Sequence, residues 1–429
     1  MDTFKKRNCS TMHSMVLENS TEFAALELVD RITLDLDKSK TPISVFLDLS
    51  KAFDTLDHEI LLTKLDYYGI RGTAFNLMKS YVTGREQFVE IDNTKSDKLM
   101  LTTGVPQGSI LGPLLFLIYI NDISLASKIF SFIIYADDTN LNTTLELIAK
   151  NNPDADVNVI INNELANISD WLKSNKLSLN VQKSKYMIFH MPQKNINALQ
   201  LTIDNTAIDR VSHFDFLGLT IHENLSWKSH TDKIANKISR SIGILNRLKH
   251  FLPLQSKLLI YSSLILSYLT FGILAWGYKC ERLVKLQKKA VRIISISKYN
   301  AHTEPIFKTL KLLKLPDILK LQELKLYYKF KHGNLPIYQL QMPFTENTET
   351  HNYNTRQQHN IHQPLARHEY AKKCIRFDLP KIINDTPSHI LDKITTHSLN
   401  GFSWYVKQQM LESYSETCNI VNCYICSRR

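Results

Sequence analysis

Two adjacent carboxylates, Asp137 and Asp138, follow the apolar run Phe132-Ile-Ile-Tyr135, and a third, Asp48, lies in the run Ile43-Ser-Val-Phe-Leu-Asp-Leu49. Carboxylate oxygens are the hard ligands that Mg²⁺ takes, with water and substrate phosphates completing its octahedral shell. Two such ions, about 3.5 to 4 Å apart, are what nucleotidyl transfer needs: one activates an attacking 3′-hydroxyl, the other steadies the leaving pyrophosphate. Paired acids also occur in ordinary solvated turns, so the pair alone decides nothing. What matters is whether the chain brings Asp48 to Asp137 and Asp138.

Ile43 to Leu49 follows Pro42 and is short and rich in β-formers, which predicts a buried strand carrying Asp48 near its C-terminal end. An unpaired carboxylate there is costly, so a cation or a hydrogen-bonding turn must compensate. The run ending in Tyr135, the two acids and Thr139-Asn-Leu-Asn-Thr143 predict a strand, a tight turn holding the acids, and a returning strand. Between these pieces lies Gly104-Val-Pro-Gln-Gly-Ser-Ile-Leu-Gly-Pro113, whose three glycines and two prolines forbid regular structure and let backbone approach a ligand. An apolar helix follows to Ile120.

Supporting elements are predicted around this frame. Ser20 or Thr21 caps a helix with Phe23, Leu26 and Ile32 inward, and further helices run to Leu65, over Phe75 to Tyr81, and from Val157 to Leu172. Gln87 to Ile91, the stretch into Phe189 after a turn at Asn180 and Lys183, Leu201 to Ile203 and Phe216 to Ile221 read as strands. From Trp227 the period changes to helical. Ile234, Ile238, Ile242 and Leu245 share one face, as do Leu283, Leu286, Ala290 and Ile293, with basic residues opposite.

The 429 residues are too many for one ordinary core. Lys and Arg total 52 against 41 acids, a net charge of +11. Its distribution is uneven: −7 from Met1 to Ser226, +16 from Trp227 to His332, where 21 basic residues face 5 acids, and +2 beyond. That central segment predicts a polyanionic partner. Met1-Asp-Thr-Phe-Lys-Lys-Arg7 has no apolar core behind it to make a signal peptide, and six cysteines, three near the end, do not form a secreted disulfide framework. An intracellular compartment, nuclear or cytoplasmic and not secreted, is expected. Leu258 to Gly277 is uncharged and about long enough to span a bilayer, but its Tyr, Ser and Thr residues favour a buried helix pair over a membrane span.

The ordered motifs Phe46-Leu-Asp-Leu-Ser-Lys-Ala-Phe-Asp54, Gly104-Val-Pro-Gln-Gly-Ser-Ile-Leu-Gly-Pro113, Tyr135-Ala-Asp-Asp138, Asn180 with Lys183, and Phe216-Leu-Gly-Leu219 resemble the reverse transcriptase of a non-LTR retrotransposon. The jockey-like and chicken-repeat-like LINE elements are nearest in pattern. The motifs carry the resemblance from about Ser20 to Asp232, and more loosely into Tyr268 to Gly277. It implies an α+β fold: a right-hand polymerase palm with a mostly antiparallel sheet, followed by an all-α thumb. The implied division is a fingers remnant at 1–42, the palm at 43–226, the basic thumb at 227–345 and a segment of unclear fold at 346–429.

By the same resemblance, Asp48, Asp137 and Asp138 hold Mg²⁺ or Mn²⁺, with Asp138 the least direct ligand. Phe53 lies beneath the sugar and excludes a 2′-hydroxyl, Gln107 and Gly108 line the nucleotide and template side, and Lys183 approaches the pyrophosphate. Phe216, Leu217 and Gly218 hold the primer end. Lys285, Lys288, Lys289 and Arg292 grip the phosphates of an RNA and DNA duplex, and deoxynucleoside triphosphates are the substrates. No membrane or protein partner is implied.

Cys418, Cys423 and Cys426 are three ligands where a structural zinc takes four; His397 is the candidate fourth, and no zinc is expected. Met1 to Asn19 does not resemble the family's fingers, and the endonuclease of full-length relatives is not recognisable. The resulting expectation is of a truncated chain with weak or absent polymerase activity and retained nucleic-acid binding. The competing expectation is a non-catalytic nucleic-acid-binding remnant.

Overall fold

The computed structural model describes residues 21–416, apart from residues 152, 192, 195, 279, 336–343, 351–358 and 369–370. The chain divides into two compact units. One holds Ser39–His213, and the other holds Ala25–Lys38 together with the chain from Phe214 onward.

The first unit is built on a six-stranded sheet. Across it run Asp209–Arg210, Lys185–Ile188, Pro42–Ser50, Asp138–Thr144 and Ser131–Tyr135, while Ser178–Leu179 pairs with the end of Pro42–Ser50. All pairings are antiparallel except that of Asp209–Arg210 with Lys185 and Tyr186. Pro42 starts the first strand, as the missing N–H of proline allows. Alternation then sends Ile43, Val45, Leu47 and Leu49 into one core with Phe132, Ile134, Leu141, Tyr186 and Ile188. Helices Leu111–Ile120 and Val157–Ser174 complete that core through residues such as Phe116, Leu165, Ile168 and Leu172. Each fully buried Leu or Ile of this set contributes about 1.5–3 kcal/mol.

Ser44, Phe46 and Asp48 alternate to the opposite face, where they meet Asn142, Asn140 and Asp138 in register. The returning strand is therefore buried although polar. Asn140 and Ser44 are fully inaccessible, and a ladder satisfies them: Ser44 Oγ donates to Asn142 Oδ1 at 2.5 Å, and Asn142 Nδ2 donates to Asn140 Oδ1 at 2.5 Å.

Helix His58–Tyr67 starts at Asp57, whose Oδ1 accepts from the amides of Glu59 and Ile60, both at 3.0 Å. Its Lys64 Nζ donates to Tyr119 O and Asp122 Oδ1, each at 2.6 Å, and lies over the Trp171 ring. This fixes His58–Tyr67 to the helix that follows the glycine-rich loop.

Among the described residues the second unit is helical apart from the hairpin His213–Phe216 and Leu219–His222 and an isolated bridge between Glu346 and Ile361. The single strand expected over Phe216 to Ile221 is broken at Leu217 and Gly218, because both take positive φ (+46° and +82°) in a two-residue turn. Helix Lys228–Leu248 buries Ile234, Ile238, Ile242 and Leu245 as expected. In Glu281–Ile294 the buried face is rotated from the expected one: Leu283, Gln287, Ala290, Val291 and Ile294 are inside, and Leu286 and Ile293 only partly covered. Gln287 explains the rotation. Its amide donates to Tyr261 Oη at 2.9 Å and Leu313 O at 3.0 Å, and its carbonyl accepts from Leu315 N at 2.9 Å, so a polar residue fills a core position.

Leu258 to Gly277 forms helical pieces interrupted by a π-helical stretch, Ser262–Leu266, and by Gly272 at φ +60°. No helix among the described residues is long and apolar enough to cross a membrane. The region of unclear fold contains helices Ile375–Asp385 and Leu399–Glu412, both packed against Leu315–Lys331. Most of the first helix, Thr21–Asp37, belongs to this same unit. Its Asp30 is paired with Arg376, and Asp37 accepts from the amides of Arg367 and His368 at 3.0 Å. Cys418, Cys423 and Cys426, at which no zinc is expected, lie outside the described residues.

Candidate active site

Asp48 and Asp138 are direct partners across two antiparallel strands, and Tyr135 pairs with Asp138 on the other side. Directly opposed residues place their Cβ atoms about 4.5–5.5 Å apart on one face. Asp137 precedes Asp138 in a two-residue turn whose other member, Ala136, has φ +53°. A left-handed alanine carries about 1–2 kcal/mol of strain, which the hairpin on either side must impose. The three acids are thus gathered at one end of the sheet.

Burial and the neighbouring acids both act on Asp138. Desolvation first, then the like charges of Asp137 and Asp48, push its carboxyl up to about 6, although the side chain still reaches solvent. Among the described residues, no three His, Cys, Asp or Glu side chains are gathered tightly enough to hold an ion unaided. The opposed pair of Asp48 and Asp138 offers hard carboxylate oxygens of the kind a divalent ion such as Mg²⁺ takes beside water and phosphate. It does not resemble a closed structural cage.

This upward shift gives a pH dependence with a definite sign. The folded carboxyl of Asp138 titrates near 6 and the unfolded one near 3.8. Between those values the folded state binds the proton more tightly, so this group favours folding in acid and that contribution is lost as pH rises through about 6. Asp138→Asn is therefore expected to raise the Tm of the metal-free protein above about pH 7 and to leave it nearly unchanged below about pH 4. Equal Tm values for both proteins at the higher pH would remove the case for a raised Asp138 carboxyl.

Lys183 reaches this end from the turn after Ser178–Leu179. The turn grips the backbone of Asp48 itself: Asn180 N donates to Asp48 O at 2.8 Å, and Ser184 Oγ accepts from Asp48 N at 3.4 Å. Lys183 N in turn donates to Asn180 Oδ1 at 3.2 Å. Lys183 Nζ then stands 3.9 Å from Asp48 Oδ2, with its side chain largely exposed. Buried Ser184 was not among the expected site residues; nothing in a serine beside two lysines distinguishes it.

Phe53 is half-buried, its ring 4.8 Å from that of Phe116, while Gln107 and Gly108 are exposed. Gly104 N donates to Leu56 O at 2.7 Å and Val105 N to Phe53 O at 2.9 Å, which binds the glycine-rich loop to the turn after Asp48. A Cβ on Gly104 would lie 2.8 Å from Asp54 O, so only glycine permits this approach.

The Phe216 to Gly218 set lies in the other unit. Phe216 is buried, whereas Leu217 and Gly218 form the tip of their hairpin. A Cβ on Gly218 would meet Phe271 Cε1 at 2.9 Å, so Phe271 packs directly against the tip. Lys285, Lys288 and Lys289 are exposed on one side of Glu281–Ile294; Arg292 is half-buried, and its Nε donates to Ala301 O at 2.7 Å.

The sheet thus presents one carboxylate opposite another, with a third at the adjoining turn. Residues 4–221 match the profile of the reverse transcriptase (RNA-dependent DNA polymerase) family, and the chain belongs to that family. The match begins ahead of Ser20, where the sequence motifs alone start to carry the resemblance. Among curated proteins, the chain is 25% identical over 301 residues to the probable RNA-directed DNA polymerase from transposon BS of Drosophila melanogaster, covering 64% of this chain and 32% of that one. It is 26% identical over 303 residues to the RNA-directed DNA polymerase from mobile element jockey of Drosophila funebris, covering 66% and 32%. The chain thus spans about a third of the length of these relatives. The jockey-like resemblance read from the motifs is borne out. Among solved structures, apo telomerase from Candida Tropicalis is similar with a TM-score of 0.42 and 13% identity, covering 79% of this chain and 58% of that one.

Proposed function

We propose that the chain carries out RNA-templated DNA synthesis, adding deoxynucleotides to the 3′ end of a primer. The observation that supports this best is the opposition of Asp48 to Asp138 with Asp137 at the adjoining turn. Asp48 and Asp137 serve as the principal metal ligands, with Asp138 completing the negative platform. Mg²⁺ or Mn²⁺, when bound, lowers the pKa of the attacking hydroxyl and neutralises charge on the pyrophosphate. Lys183, held beside Asp48, delivers positive charge or a proton to the departing pyrophosphate. Phe53, braced on Phe116, takes the place beneath the sugar, and Gln107 with Gly108 lines the nucleotide and template side. Leu217 and Gly218 offer their hairpin tip to the primer end while Phe216 anchors it.

In this reading the first unit is the palm, and the helices from Lys228 form the thumb on the duplex. A primer-extension assay on an RNA template with Mg²⁺ tests the proposal: template-dependent DNA product is expected. Product indifferent to the template, or none, would argue against it.

The thumb has its own test. Replacing Lys285, Lys288 and Lys289 with Gln leaves the Arg292 contact to Ala301 intact. The slope of log affinity against log salt for an RNA and DNA duplex is expected to flatten by about 2 to 3. An unchanged slope would return these lysines to an ordinary solvated face.

A further inference from the structure

Gln107 and Asp54 are both exposed, yet Gln107 Nε2 donates to Asp54 Oδ1 at 2.8 Å across 53 positions of sequence. Asp54 makes a second tie through its main chain, where its carbonyl accepts from Thr103 Oγ1 at 3.1 Å. His58 Nε2 lies 2.7 Å from Gly104 O, closing the loop against the same turn from the other side. Together with the two backbone bonds from Gly104 and Val105, these contacts stitch residues 103–107 to residues 53–58. Phe53 and Gln107 therefore share one brace.

The bond between Asp54 and Gln107 also carries orientation. An ionised carboxylate only accepts hydrogen bonds, so the Gln107 amide must turn its NH₂ toward Asp54. The Oε1 acceptor and one remaining N–H are left for a ligand. A free glutamine at a loop tip would sample both orientations and many rotamers. We propose that Asp54 is a positioning residue, which fixes the rotamer and amide orientation of Gln107 and so sets how the pocket receives the incoming deoxynucleotide. This inference rests on reading Gln107 as a nucleotide-lining residue of a polymerase.

Steady-state extension by wild type, Asp54→Ala, Asp54→Asn, Gln107→Ala and the double variant Asp54→Ala with Gln107→Ala tests it. Asp54→Ala is expected to raise KM for the deoxynucleotide about fivefold to tenfold, the effect of one charge-assisted hydrogen bond. Its kcat should change less than about twofold. Asp54→Asn keeps an acceptor oxygen but can also donate and carries no charge, so it should recover only part of the loss. The double variant should be no worse than Gln107→Ala, because Asp54 then has nothing to position. Additive losses would overturn the proposal. The side-chain amide resonances of Gln107, assigned by their disappearance in Gln107→Ala, give a readout without turnover. They should shift in Asp54→Ala, and resonances indifferent to Asp54→Ala would also overturn it. If wild type gives no extension, the polymerase reading fails by itself, and the resonances still decide whether Asp54 holds Gln107.

Discussion

Asp137→Asn is expected to lower primer extension by at least about a thousandfold while leaving duplex affinity within about twofold. The substitution keeps the shape of the side chain and removes its charge, so the turn set by Ala136 and the pairing of Tyr135 with Asp138 have no reason to change. On the proposed reading, what is lost is one hard anionic ligand at a site where Asp48 and Asp138 already stand opposed. Neutral amide oxygens bind Mg²⁺ far more weakly, and a metal that is absent cannot activate a hydroxyl. Asp48→Asn should behave alike. Extension is measured on a primed RNA template, and affinity by fluorescence anisotropy with the same duplex. If Asp137→Asn retained more than about a tenth of wild-type extension, the acids at this turn would not be the metal platform.

Much of this site could be read from the sequence because its parts obey simple periods. Ile43 to Leu49 and Phe132 to Tyr135 are short runs of β-formers, and two acids after such a run mark a turn, so the sheet was predictable. Its polar face was harder. Thr139-Asn-Leu-Asn-Thr143 looks solvated, but Asn140 and Asn142 are buried because Ser44 and the strand backbone satisfy them. Ala136 gives no hint of positive φ, since alanine has no preference for the left-handed region. The bond from Gln107 to Asp54 needs the fold to exist before it can be seen. In the helical unit, Gln287 misleads any apolar-face reading by filling a core position with hydrogen bonds. Helix Ile375–Asp385 hides behind Pro380, which an interior reading treats as a breaker. The attachment of Ala25–Lys38 to the C-terminal helices is a pairing across more than 300 residues, and no local pattern reports it.

That attachment leads to the largest expected stability effect: Arg376→Met should destabilise the helical unit by about 3–5 kcal/mol. Arg376 meets Asp30 through two bonds, Nε to Oδ1 at 3.1 Å and Nη2 to Oδ2 at 2.5 Å. Their side chains are only 10% and 4% exposed. Burial pushes the Asp30 carboxyl upward even against the attraction of Arg376 and Arg31, so the negative charge is held there at a cost that Arg376 offsets. Methionine preserves most of the arginine stem and removes the partner, which isolates the electrostatic loss from a packing loss. The loss should shrink in acid, where Asp30 takes a proton and no buried charge remains to be compensated. Adding Asp30→Leu to Arg376→Met should restore most of the stability, because an apolar pair needs no compensation. Denaturant unfolding followed by tryptophan fluorescence suits the measurement, since three of the four tryptophans, Trp227, Trp276 and Trp404, lie in this unit. If Arg376→Met cost less than about 1 kcal/mol, the first helix would be held by its buried Leu28, Val29 and Ile32, and the ion pair would only set its orientation.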